Sequence, residues 1–394
     1  MKEEYILPKG FLSSGIKGGI KKSKKFDTGL ILSLNPCECV AFYTKNKLKS
    51  AHILYDKKVM NNEIFAIFAN SGNANALNGK QGLIDLIKII KAIAKNLKIK
   101  SSSIMAASTG KIALKMPVKN IIKNIPLLIK NLSKNDKNFP KAILTTDLKT
   151  KVVNEKIIID GKQCTITGVA KGSGMISPNM ATMLAFVLTD ININKNLLKK
   201  AAFDCVKSSF NKITVDGDMS PNDTVIFLSN KMAGNKCIDK LDKNYDKFKK
   251  ALFEICYKLA EKIVEDGEGV TKVVKIVIEN AKTHKQAENI SRQIANSLLV
   301  KTAFFGESLN PGRIISAAGA TLENIDIGKI ELKFNNALII KNGKLVAKNT
   351  KKAEKILKSK KITLTLNLKN GKISETLLTT DLSYNYVKIN AAYS

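Results

Sequence analysis

Asp160-Gly161, Asn342-Gly343 and Asn370-Gly371 each stand between two short apolar runs, and no other feature of the sequence constrains the fold as much. A two-residue Asx-Gly connection suits the tight turn in which both central residues have positive φ, the turn whose twist matches that of paired strands. The flanking runs are Ile157–Ile159 with Cys164–Thr167, Ile339-Ile340 with Leu345-Val346, and Ile362–Leu368 with Ile373–Leu378. Three hairpins are therefore predicted. Ile64–Ala69 reads as a buried strand. Helical spacing marks Leu83–Leu97, Leu197–Phe210, Tyr245–Val264 and Lys285–Leu298, with a lysine-rich helix near 351–360. In the third of these helices Phe248, Leu252, Ile255, Leu259 and Ile263 share one face. Strands and helices interleaved in this way imply an α/β protein of layered mixed sheets with helices, with substantial antiparallel pairing. No low-complexity linker or solenoid repeat divides the 394 residues, a length that suits two ordinary domains or one large layered unit.

The formal charge of +33 raises the question of a polyanionic partner. Only two of the 66 basic residues, Arg292 and Arg313, are arginine. Arginine is the side chain that reads phosphate and guanine with a bidentate fork. The lysines are spread from Lys2 to Lys388, tryptophan is absent, and isoleucine and asparagine are abundant. Compositional bias accounts for this pattern better than selection for nucleic acid, so no specific nucleic-acid binding is expected. Long-range attraction of anionic substrates remains open.

No apolar run approaches the roughly 20 residues of a membrane helix. The first five residues carry acids and lack the apolar core of a secretory signal. A cytoplasmic location without membrane association is expected. Of six cysteines only Cys37 and Cys39 are close, and the two histidines, His52 and His284, are distant in sequence. C-x-C alone is a weak metal signal, so reduced structural cysteines and no metal are expected. His52, in an apolar stretch, reads as packed rather than catalytic.

Four segments are rich in small and polar residues. They are Asn70–Ala76, Ala107–Gly110, Ala170–Leu184, and Thr214–Asp218 continuing through Ser220, Asn222, Asp223 and Thr224. Glycines there permit close backbone approach, and hydroxyl and amide groups can face a ligand. Turns share this composition, so each segment singly has an ordinary structural reading. Asp216-Gly217-Asp218 lacks the glycine spacing and distal Glu of an EF-hand, and Gly172-Ser173-Gly174 lacks the lysine of a phosphate loop.

In order and wording these segments resemble the ornithine acetyltransferase family, also called glutamate N-acetyltransferase, of arginine biosynthesis. The resemblance runs from Gly10-Phe11 and Gly19–Lys22 through the four segments. It continues in Asp266–Gly269, Thr271-Lys272, Ile294–Ser297, Lys301–Ala303 and Gly312–Ile315, and ends at Val387–Ala391. Ala170–Phe186 is its most specific part.

The resemblance implies that the chain cuts itself between Ala181 and Thr182, giving fragments 1–181 and 182–394 that stay together and pair again as (αβ)2. Thr182 then serves as nucleophile, with its freed α-amine as base. This is a known way to activate a threonine and needs no histidine. Carried over residue by residue, Thr109 and Gly110 stabilise the oxyanion. Thr145 or Thr146, Lys171, Glu268, Asn390 and the tail residue Ser394 contact substrate, Lys171 through an α-carboxylate and Glu268 through an amino group. For Thr109 a helix cap before Lys111 is the ordinary alternative. The implied reaction moves acetyl from N2-acetylornithine to glutamate without a cofactor; family members differ on whether acetyl-CoA is also a donor. A related self-processing aminopeptidase with water as acceptor, or an anionic-surface binder that has lost the chemistry, are the rival readings. The sequence departs from the family pattern at Lys111-Ile112-Ala113, at Met219 and Pro221, at Pro311, and at Tyr393-Ser394.

Overall fold

The structure, a computed structural model, describes residues 4–177, 183–321 and 326–392. It divides into two compact units, one of residues 1–211 with 218–263, the other of residues 212–217 with 264–394.

The first unit is built on strands β1 (Phe11–Ile16), β2 (Thr28–Tyr43), β3 (Ile64–Asn73), β4 (Ile104–Lys111), β5 (Lys151–Ile159), β6 (Lys162–Lys171), β7 (Leu184–Thr189) and β8 (Thr224–Ser229). Their order across the sheet is β4-β3-β2-β8-β7-β6-β5, with β1 also paired to β2. The β3–β4 and β7–β8 pairs are parallel and the others antiparallel. Long β2 holds the sheet together: its first half pairs with β1 and β3, and its second half, Glu38–Tyr43, pairs with β8. Successive side chains of a strand point to opposite faces. On β6, Val169 joins the core that helices Gly79–Leu97 and Val118–Lys130 also enter. The next residue down the strand, Gly168, faces the other way, where an added methyl would strike Ile255 and Leu259 of helix Lys243–Glu265 at 2.6 Å. Both faces of the sheet are therefore covered, as strands rich in apolar residues at every position require.

The second unit contains β9 (Val273–Ala281), β10 (Glu331–Phe334), β11 (Ala337–Lys341), β12 (Lys344–Leu345), β13 (Lys361–Asn367) and β14 (Ile373–Thr380), in the order β12-β11-β10-β13-β9-β14. Helix His284–Asn296 buries Ala287, Ile290 and Ile294 against this sheet's core.

Two of the three expected hairpins form. Ile159 pairs with Lys162 around Asp160 and Gly161, at φ 47° and 71°, and Lys341 pairs with Lys344 around Asn342 and Gly343, at φ 49° and 71°. The third is a correction. Strands do occupy both sides of Asn370-Gly371, but β9 lies between them, parallel to β13 and antiparallel to β14. The connection crosses the end of β9, where Asn370 N–H donates to Asn280 O at 2.9 Å. The stretch read as one helix over 285–298 is two, because Ser297 ends the first and caps the second by accepting from Val300 N–H. The lysine-rich helix is Thr350–Leu357, after which the chain turns into β13.

Cys37 and Cys39 are buried in β2, and burial pushes the Cys37 thiol up to about 12 and Cys39 higher still. Among the described residues no helix is long and apolar enough to cross a membrane.

Candidate active site

In the first unit, three of the four small-and-polar segments and the second half of the fourth, Ser220–Thr224, meet at the ends of neighbouring strands. Parallel β3 and β4 run side by side to Gly72 and Gly110. Gly110 has φ 127°, and a methyl there would lie 2.4 Å from the Gly72 backbone, so only glycine fits. Asn222, just before β8, donates through Nδ2 to Ser108 O and to Ala74 O, both at 2.6 Å. Ser108 Oγ donates to Asn70 Oδ1 at 2.7 Å, and Asn70 Nδ2 to Asn73 O at 2.9 Å. These amides fix the β4 end that carries Thr109 and Gly110. The cap alternative for Thr109 fails, since β4 continues to Lys111 and the next helix begins at Val118.

Lys171 closes β6, and its Nζ donates to Thr109 Oγ1 at 3.1 Å. Both side chains are buried. Beyond it lies a carboxylate that the sequence did not single out, Asp147. It accepts from Lys151 Nζ at 2.6 Å, from Gly172 N–H at 2.7 Å and from Thr145 N–H at 3.0 Å. Burial by itself would raise its pKa, but the Lys171 and Lys151 ammoniums outweigh that and hold it below the usual carboxylate range. Thr145 also turns its hydroxyl toward Asp147, while Thr146 is half-buried. Lys21, from the Gly19–Lys22 motif, donates to Leu144 O at 2.7 Å and Phe26 O at 2.8 Å. Burial lowers its pKa to about 8, with Asp27 opposing and Lys171 adding to the fall.

The chain beyond the expected cut is anchored at the same place. Met183 N–H donates to Asp223 Oδ1 at 3.1 Å, and Thr224 N–H donates to Met183 O at 3.0 Å. Ala181 and Thr182, like Ser394, lie outside the described residues.

In the second unit, Asn390 Nδ2 donates to Glu268 Oε2 at 2.8 Å, so these two expected substrate residues meet. Asn390 belongs to the tail helix Tyr384–Ala391, which Ser383 caps while donating to Gly269 O at 2.5 Å. Asp381 accepts from Thr271 and Lys272 N–H at 3.0 Å and fixes the loop that follows Glu268. The fourth segment is divided between the units, with Asp216 in the second, where it accepts from Tyr386 OH at 3.4 Å.

His52 is packed, as its surroundings suggested. Thr224 Oγ1 donates to Asn222 O at 2.9 Å, so it accepts from His52 Nε2–H at 2.9 Å, leaving His52 Nδ1 to accept from Ser50 Oγ at 2.7 Å. The ring is neutral, and burial lowers its pKa to about 3. Unfolded, it titrates near 6.5, so the unfolded chain binds more protons between those values and stability falls as pH drops below about 6.5. The expected loss by pH 5 is about 2 kcal/mol. His52→Gln should be less stable at pH 7 but show a shallower decline from pH 6.5 to 5 in denaturant melts. Parallel declines would contradict the neutral buried ring.

A buried hydroxyl, a buried ammonium and close-packed glycine backbone thus converge at the strand ends of a mixed α/β sheet. The ArgJ family model matches residues 12–394. Arginine biosynthesis bifunctional protein ArgJ of Thermotoga neapolitana is 42% identical over 98% of this chain and 99% of its own length. The protein of that name from Caldanaerobacter subterraneus subsp. tengcongensis is also 42% identical, over 98% of this chain and 97% of its own. The solved structure of arginine biosynthesis bifunctional protein ArgJ from Bacillus halodurans superposes with a TM-score of 0.51 at 33% identity, covering 53% of this chain and 98% of that one. The chain belongs to the ArgJ family.

Proposed function

We propose that this acetyltransferase of arginine biosynthesis moves acetyl from N2-acetylornithine to glutamate through an acetyl ester on Thr182. The observation that carries the reading is the segment Asn222–Thr224. It holds Ser108, next to the oxyanion pair, on one side and Met183, the residue after Thr182, on the other.

A hydroxyl next to its own peptide carbonyl is held at very high effective concentration, so an N-to-O shift needs positioning more than a strong base. Thr182 Oγ attacks the Ala181 carbonyl carbon, the C–N bond breaks to free the Thr182 amine, which takes up the hydroxyl proton, and water then hydrolyses the ester to a carboxylate at Ala181 and the restored Thr182 hydroxyl. That amine has an ordinary pKa of about 7.7–8.0, leaving part of it unprotonated near neutrality. It takes the hydroxyl proton as Oγ attacks the acetyl carbon of N2-acetylornithine. The oxyanion faces the Thr109 hydroxyl and the Gly110 N–H, ornithine leaves with the proton, and the ester remains. The glutamate amine then attacks, N-acetylglutamate departs, and the hydroxyl is restored. Lys171 receives an α-carboxylate and Glu268 an amino group. The turn of Thr145 onto Asp147 favours Thr146 as the substrate-facing threonine.

Fragments 1–181 and 182–394 stay joined because β7 and β8 of the second lie between β6 and β2 of the first in one sheet. The Bacillus halodurans chain, matched almost entirely by about half of this one, has the length of such a fragment. We assign an (αβ)2 assembly in the cytoplasm, to be checked by scattering mass and fractionation. The relatives are called bifunctional, which favours acetyl-CoA as a second donor.

The test measures N-acetylglutamate formed from N2-acetylornithine and glutamate, with acetyl-CoA as donor in a parallel series. Parallel double-reciprocal lines are expected. Acetate released with no N-acetylglutamate would favour the aminopeptidase-like rival. Glu268→Gln should raise the KM for N2-acetylornithine by roughly 10–100-fold, the value of a hydrogen bond to a charged group. An unchanged KM would remove Glu268 from substrate binding.

A further inference from the structure

A threonine hydroxyl donates once and accepts twice, whereas an ammonium only donates. With Lys171 Nζ 3.1 Å from Thr109 Oγ1, the threonine oxygen must be the acceptor, and its own proton is directed elsewhere. Thr109 is 5% exposed and Lys171 3%, so the contact lies where little water screens it and where one hydrogen bond strengthens the next. A hydroxyl whose oxygen already accepts from a cation is the stronger donor.

The lysine is well held. Its strand is paired on both sides, Ala170 with Lys151 of β5 and Lys171 with Leu184 of β7. Asp147, held ionised against its burial by the Lys171 and Lys151 charges, also binds Gly172 N–H, the residue after Lys171.

We propose that Lys171 is a positioning residue for the oxyanion donor: it fixes the direction of the Thr109 O–H and raises its strength, beyond any contact with a substrate carboxylate. This rests on Thr109 being an oxyanion donor, as proposed above. A carboxylate partner alone would contribute to binding substrate and transition state alike and so move KM. A group acting through Thr109 contributes where charge develops on the oxygen, and so moves kcat.

The experiment is a double-mutant cycle in kcat for acetyl transfer, with Thr109→Ala, Lys171→Met and the double variant, each normalised to its cut fraction by intact mass. Thr109→Ala should lower kcat by roughly 10²–10³. Lys171→Met should lower it by at least about tenfold, and the double variant should fall within about threefold of Thr109→Ala, because the lysine has nothing left to act through. Lys171→Arg, which still donates and stays charged, should recover most of kcat. Lys171→Ala, which cannot donate and leaves room for water, replaces the Met variant if that one does not fold. A Lys171→Met that changes only KM, or losses that multiply in the double variant, would overturn the proposal while leaving the Thr109 reading intact. An unchanged kcat in Thr109→Ala would remove the oxyanion reading, and this proposal with it.

Discussion

Thr182→Ala is expected to stay a single chain and to lose acetyl transfer by at least about 10⁴-fold, the scale seen when the nucleophile of a covalent mechanism is removed. The two losses share one cause. The hydroxyl that attacks the Ala181 carbonyl is the group that later carries acetyl, and without the cut there is no amine to act as its base. Thr182→Ser keeps a hydroxyl in place and should still cut and turn over, at reduced rate. Intact mass reports the first property and N-acetylglutamate formation the second. A Thr182→Ala chain that is cut normally, or that keeps more than a few per cent of activity while uncut, would separate the two events and sink the mechanism.

Asp147→Ala is expected to destabilise the first unit by about 3–5 kcal/mol, the range for removing one partner of a buried pair. Lys151, with its side chain 1% exposed, would lose the carboxylate 2.6 Å away, and the Gly172 and Thr145 N–H groups would lose their acceptor. Lys171 would lose its balancing charge as well, so cutting and transfer should both slow. Asp147→Asn retains an acceptor for the backbone and should lie between wild type and alanine. Since the folded pKa is depressed, the stabilisation is present above the unfolded value near 3.9 and lost as pH falls through and below it. Denaturant melts in the uncut Thr182→Ala background give the comparison for one chain. A midpoint unchanged by Asp147→Ala would mean that the buried pair contributes nothing.

Local chemistry was legible in the sequence wherever it decided the outcome locally. Asp160-Gly161 and Asn342-Gly343 signal turns that need positive φ at both positions, and both turns form between directly paired strands. Asn370-Gly371 carries the same signal, yet β9, nearly a hundred residues earlier, inserts between the two strands. A turn motif cannot report an insertion that depends on long-range pairing. Ser297 as a cap was readable but was hidden inside a continuous helical period.

The site divides along the same line. Thr109, Gly110 and Lys171 are recognisable because they lie in worded motifs, and the fold brings them together. So do Glu268 and Asn390. Asp147 carried no signal: it is one acid in a lysine-rich loop, and two of its partners, Lys171 and Gly172, reach it only after β5 and β6 have paired.

The most direct test of the central claim is the intact mass and N-terminal sequence of the purified, folded wild-type protein. Two fragments that co-purify, the second beginning Thr182-Met183-Leu184, are predicted. A folded chain that stays whole, or a second fragment that starts at any other residue, would contradict a self-made threonine nucleophile.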